Sequence, residues 1–279
     1  MNRRTRRHSV CKAILVGVFL SAIGLLVMGY GRAQAQDPRN ECTGGTIPTS
    51  THCTFMPMIA TTVDLTAFDA IPVMSGPLDR PAAIHGDINL ALRGFIPTTD
   101  TLALVDINGP TDANAPQLAG LFAPPRLPTF SSAHRVHEWD WGCDVNGCRS
   151  APIITPTVTL LGLATTPGEP LFIPTRAPQI YGGGYKAMVL YAEAQRMTLV
   201  YTRDDTAAFG YVVHLEKLNV SPNLVALYAQ MDAAGRSQLP ALHEGERLGN
   251  AAGSELLVAI RDTGSFMEPR SRKDWWMGY

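Results

Sequence analysis

Ionisable and aromatic side chains are densest where the chain reads Ala133-His134-Arg135-Val136-His137-Glu138-Trp139-Asp140-Trp141-Gly142-Cys143. Strand alternation puts His137, Trp139 and Trp141 on one face of this segment and Val136, Glu138 and Asp140 on the other. Such a row of rings can stack on a sugar or another flat ligand, or it can pack over the protein's own core. The other two tryptophans, Trp275 and Trp276, lie near the C-terminus beside Arg270, Arg272 and Lys273. They carry the same choice, a grip on a glycan or partner against docking of the terminus. His134, His137, Cys143 and Cys148 are zinc-ligand types at irregular spacing. The oxygen-bearing run Asp106, Asn108, Asp112, Asn114 could ligate calcium, but it lacks the register and terminal Glu of an EF-hand loop and suits an ordinary turn. His85, Asp87 and the pair His137 and Asp140 complete the groups able to ligate or relay protons near neutrality. There is no G-x-S-x-G elbow, H-E-x-x-H, Walker A or Rossmann fingerprint.

The elements that must position these residues read as mainly β, with sandwich- or barrel-like strands and one short C-terminal helix. Period-two patterning predicts strands over Ile84–Leu92, Thr101–Ile107 and Thr155–Ala164, then a meander of Ala187–Glu193, Met197–Arg203 and Tyr211–Leu218. A helix is expected over 221–235: Ser221 caps it, Pro222 opens it, Leu224, Leu227, Tyr228 and Met231 share a face, and Gly235 stops it. A glycine-bearing turn over Leu242–Gly249 then leads into a last apolar strand, Glu255–Arg261. The expected organisation is a signal peptide over 1–35, a flexible Thr- and Pro-rich lead-in over 36–80, a β segment over 81–128 and a barrel-like C-terminal module over 129–279.

Within that module, Gly210-Tyr211-Val212-Val213, Leu227-Tyr228-Ala229 and Leu242-His-Glu-Gly245-Glu-Arg-Leu248-Gly249 resemble segments of the LytM or lysostaphin-type zinc endopeptidases of peptidoglycan. The resemblance implies a barrel-sandwich fold and, were the site complete, zinc-dependent hydrolysis. The family's H-L-H strand is here Glu255-Leu256-Leu257, so a leucine stands where the resemblance implies a histidine. A divergent zinc site would have to be drawn from His134, His137, Asp140 and Glu255, and no complete catalytic set is present. A working zinc hydrolase needs three protein ligands, an open position and a base.

Composition sets the class of partner. Arg3, Arg4, Arg6, Arg7 and Lys12 precede the apolar run 13–28 and Ala33-Gln34-Ala35, the order of a secretory signal. Cleavage is expected after Ala35; the other reading is retention as a membrane anchor, the apolar run being close to the ~20 residues that span a bilayer. The signal holds six of the 23 Lys and Arg and none of the 24 Asp and Glu, so the mature chain carries a net charge of −7. That argues against nucleic acid, whose phosphates require a basic footprint. Cys42, Cys53, Cys143 and Cys148 remain after cleavage, an even count that suits local disulfides in an oxidising compartment. The expectation is an exported cell-envelope or extracellular protein that binds polysaccharide, peptidoglycan or another envelope protein. The alternatives are a divergent zinc hydrolase and a structural or assembly protein of the cell surface.

Overall fold

The computed structural model describes residues 67–75 and 78–279, which fall within one compact unit. The signal segment, Cys42, Cys53 and most of the Thr- and Pro-rich lead-in lie outside the described residues. The strands are β1 (Asp69–Pro72), β2 (Phe95–Pro97), β3 (Phe130–Asp140), β4 (Cys148–Pro152), β5 (Leu160–Ala164), β6 (Pro170–Phe172) and β7 (Tyr185–Glu193). They continue with β8 (Arg196–Val200), β9 (Tyr211–Glu216), β10 (Leu218–Val220), β11 (Gln238–His243), β12 (Arg247–Ala251), β13 (Glu255–Asp262) and β14 (Ser265–Phe266). Helices are α1 (Leu90–Arg93), α2 (Pro222–Ala233) and α3 (Arg272–Trp275).

The protein is mainly β, with 38% strand and 13% helix in two antiparallel sheets. The larger sheet runs β1-β11-β7-β8-β9-β13-β5-β3-β2, with β14 beside β13 and β4 beside β3; the smaller runs β10-β12-β6. The C-terminal elements match the reading of the sequence closely. α2 buries Leu224 and Tyr228, and the glycine-bearing turn joins β11 to β12. β1, inside the expected lead-in, pairs with β11 as the sheet's edge. β2, from the expected N-terminal segment, pairs with β3.

Strand β13 shows how the sheet separates its two faces. Leu256, Val258 and Ile260 join the main core, together with Leu161 and Leu163 of β5 and the apolar residues of the smaller sheet. Leu257 and Ala259 point the other way, into a small cluster with Leu90, Val136, Ile153, Leu160 and Phe266. Because side chains alternate along a strand, Glu255 and Arg261 share this second face with Leu257 and Ala259. A polar group therefore stands at each end of it.

The cover of the second face departs from expectation. The predicted strand Ile84–Leu92 is a 3-10 turn over Ala82–Ile84 followed by α1. Side-chain caps override the alternating pattern there: the Asn89 carboxamide oxygen accepts the Ala91 N–H, and His85 Nδ1 accepts the Asp87 N–H. Ile88 and Leu90 are still buried, but by a turn folded over the sheet and not by a strand within it. The predicted strand Thr101–Ile107 is also absent. Val105 makes a single parallel bridge to Ser271, because the C-terminal segment lies against this loop.

Candidate functional site

The second face holds the densest set of interacting ionisable groups. Arg93 of α1 and Arg261 of β13, each 4% exposed, converge on Asp87, whose Oδ1 lies 2.5 Å from Arg93 Nη2 and 2.9 Å from Arg261 Nη2. Arg93 also donates to the Gly86 and His137 carbonyls, and Arg261 to those of Gly264 and Asp87. Burial pushes the Asp87 carboxyl up, but the guanidiniums of Arg261 and Arg93 outweigh it and hold the group below its usual value. Burial and the neighbouring charge of Arg261 lower Arg93 to about 10.

Deeper on the same face lies His214 of β9, 1% exposed and stacked near Phe266. The Thr198 hydroxyl donates to the Ile88 carbonyl at 2.6 Å, so its oxygen is left to accept from His214 Nδ1 at 3.0 Å. Nδ1 therefore carries the proton, and Nε2 is a buried acceptor without a partner among the described residues. Burial, reinforced by Arg261 and Arg93, holds this imidazole well below its ordinary pKa.

Outward from Asp87 opens a cleft of about 540 Å³ lined by Asp79, Arg80, His85, Asp87, Trp141 and Phe209, among others. Trp141 is 39% and Phe209 55% exposed. Trp141 stands there because Trp139 is fixed behind it. A Cβ on Gly86 would fall 2.4 Å from the Trp139 ring and one on Gly147 would fall 2.3 Å from it, so the indole fits only between two glycines. Trp139 Nε1 donates to the Asn146 carbonyl, inside the loop closed by the Cys143–Cys148 disulfide. The two indoles meet edge to face at 6.1 Å. On its other sides Trp141 meets the His85 ring edge at 5.0 Å and the Arg80 guanidinium at 4.4 Å. Arg80 Nη2 pairs with Asp79, while its buried Nη1 has no partner among the described residues. Burial lowers the His85 pKa despite Asp87 and Asp79.

Several residues singled out in the sequence take other places. Trp275 and Trp276 are buried, their ring N–H groups donating to the carbonyls of Glu268 and Pro269, so they dock the terminus and present no binding surface. His137 Nδ1 lies 2.6 Å from the Ser150 carbonyl, across the hairpin of β3 and β4, and the Asp140 carboxylate accepts the Gly142 N–H in a turn. Cys143 and Cys148 are bonded to each other, which removes them from the zinc set drawn with His134 and His137. Asp106 pairs with Arg272, and Asp112 accepts from the Asn114 N–H and the Tyr211 hydroxyl. Among the described residues no group of three or more His, Cys, Asp or Glu is placed to hold a metal ion.

His134 and Glu255 do come together, but through serine. Ser132 Oγ donates to Glu255 Oε1 at 2.5 Å, so His134 Nε2, 2.9 Å away, must donate to that hydroxyl. A nucleophilic serine requires the opposite polarity, with the imidazole accepting its proton. Glu255 is no substitute base. Burial pushes its carboxyl up, but Lys217, Ser132 and Ser131 outweigh that and bring it down to about 2. Gly162 of β5 makes the cluster possible, since a Cβ there would lie 2.2 Å from Ser132 Oγ and 2.4 Å from Glu255 Oε1. The result is a polar tie across three strands.

Arg80 and Phe209 were not among the residues singled out in the sequence, and Asp87 was singled out only as a group able to ligate or relay protons. The signal for Arg80 and Asp87 was present in the sequence as charges flanking the His85 turn, but only the fold of that turn over β13 brings them beside Trp141. Among the described residues no helix is long and apolar enough to cross a membrane. Comparison of the chain with family models, with curated proteins and with solved structures gives no match, so a functional reading has to be built from this geometry alone.

Proposed function

We propose that the protein is an exported, non-catalytic binding protein whose cleft at Trp141 takes a saccharide unit of a cell-envelope polysaccharide. The observation that carries this reading is the cleft itself. An exposed indole packed edge to face on Trp139 lines the cleft together with a second exposed ring, Phe209, and with Asp79, His85 and Asp87. A pyranose has one apolar face that suits an aromatic plane and a rim of hydroxyls that suits carboxylates and imidazole. The charge of the mature chain and its export signal favour an extracytoplasmic, non-nucleic-acid ligand. The polarity of the Glu255, Ser132 and His134 chain favours binding over hydrolysis.

The test is retention of the purified mature protein on insoluble cell-wall polysaccharide, with intrinsic tryptophan fluorescence read during titration with soluble fragments. Wild type is expected to be retained and to change its emission. Trp141→Ala is expected to abolish both while the protein stays folded by circular dichroism. Absence of retention by the wild type, or equal retention by Trp141→Ala, would leave the structural reading ahead.

A further inference from the structure

A separate cavity of about 210 Å³, sharing no lining residue with the Trp141 cleft, is lined by Arg93, Arg261, Phe266, Thr155, Ser265 and Glu138, among others. Its donors can be counted. A guanidinium offers five N–H bonds. Arg93 uses three, on Gly86, His137 and Asp87. Arg261 uses Nε and one Nη2 hydrogen on Gly264, the other Nη2 hydrogen on Asp87 Oδ1, and one Nη1 hydrogen on the Asp87 carbonyl. Three N–H bonds remain without an acceptor among the described residues. The charges do not balance either, since a single half-buried carboxylate, Asp87, pairs directly with two buried cations. The lowered pKa of both arginines reflects burial, and for Arg93 also the neighbouring charge of Arg261. Phe266 lies 5.2 Å from the Arg93 guanidinium and 4.9 Å from that of Arg261, which fixes both in orientation. Glu138 at the cavity is exposed and makes no direct ion pair with either arginine, though its charge acts on both.

We propose that this cavity is a binding site for a small oxyanion, a phosphate or carboxylate group held by the unused N–H bonds of Arg93 and Arg261. Planar guanidiniums match such groups through paired charge-assisted hydrogen bonds, and a buried excess of positive charge is relieved when one arrives. The volume admits a free anion or the terminal group of a larger molecule and excludes a sugar ring with its neighbours. Glu138 competes for the same positive field.

The experiment is calorimetric titration of the purified protein with inorganic phosphate and, separately, with acetate, against chloride at constant ionic strength; the arm that saturates at the lower concentration identifies the group. Wild type is expected to bind one equivalent. Glu138→Gln, a surface change that spares the fold, is expected to bind roughly threefold or more tightly by removing the competing charge. Ser265→Glu, which tethers a carboxylate at the cavity, is expected to lose the binding, and Trp141→Ala to keep it, which separates this site from the saccharide cleft. No saturable binding of either anion to wild type and Glu138→Gln, or undiminished binding to a folded Ser265→Glu, would overturn the proposal.

Discussion

Mild acid is expected to destabilise the protein through His214, and the size of the effect follows from its surroundings. The imidazole is 1% exposed, its Nε2 has no partner among the described residues, and Arg93 and Arg261 stand on the same face of the sheet. Protonation in place would bury a third cation beside two others. The folded-state pKa is thus depressed well below the unfolded value near 6.5. The sign follows directly. Above that value both states leave the ring neutral and no stability is lost; below it the unfolded chain binds a proton that the folded chain refuses, so stability falls as pH falls. The slope for one such group approaches about 1.4 kcal/mol per pH unit, which amounts to roughly 2 kcal/mol between about pH 6.5 and pH 5. His85 and His134, also depressed by burial, add to the wild-type slope in the same direction. A comparison with His214→Phe isolates the central residue. This variant keeps an aromatic ring beside Phe266, and Thr198 keeps its hydrogen bond to Ile88. Urea unfolding followed by tryptophan fluorescence at a series of pH values between about 7.5 and 5 yields both slopes. His214→Phe is expected to lose less stability on acidification than wild type by roughly 2 kcal/mol, whatever its stability at neutral pH. Equal slopes in the two proteins would refute the buried neutral imidazole.

Two further outcomes test other parts of the structure. The Glu255 carboxyl, brought down to about 2 from an ordinary 4.5, contributes stability that is present above 4.5 and lost as pH falls from there towards 2; Glu255→Gln is expected to flatten that part of an acid-unfolding curve read by circular dichroism. Trp276→Ala, which empties a buried site against Phe130, is expected to cost about 3–5 kcal/mol in denaturant unfolding while the folded fraction keeps its affinity for polysaccharide.

What could be read from the chain and what could not divides along the range of the interactions. α2 and the β11 to β13 region were legible because their signals are local: a proline at the first helical turn, apolar residues at helical spacing, glycines at a turn and an unbroken aliphatic strand. The segment Ile84–Leu92 folds otherwise than as the expected strand because its alternation of apolar residues is genuine but serves a different end. Ile88 and Leu90 are buried by lying across a sheet, and the caps at His85 and Asn89 that redirect the backbone consist of single polar side chains which period-two counting ignores. The docked Trp275 and Trp276 were ambiguous for another reason. Two indoles beside three cations look the same in sequence whether the cations face solvent or are used, as Arg270 is, to pair with Glu268 and Asp100.

The same distinction explains why the candidate site escaped the sequence while its anchor did not. Trp141 stood out by type, and its exposure depends on features with no chemical signature. Gly86 and Gly147 admit the Trp139 ring only by having no side chain, and they approach it from segments about sixty residues apart. Arg93 and Arg261 are 168 positions apart in the sequence and become a pair only because β13 turns Arg261 to the face that α1 covers. A search for chemistry by spacing finds ligands that lie near one another along the chain. Here the nearby candidates are used otherwise: His134 bonds to Ser132 on its own strand, His137 bonds across to β4, and Cys143 with Cys148 closes a loop. The arginine pair on the second face is gathered by the fold from far apart and keeps unused donors, which is why it, and not the histidine cluster on β3, is the place proposed for an anion.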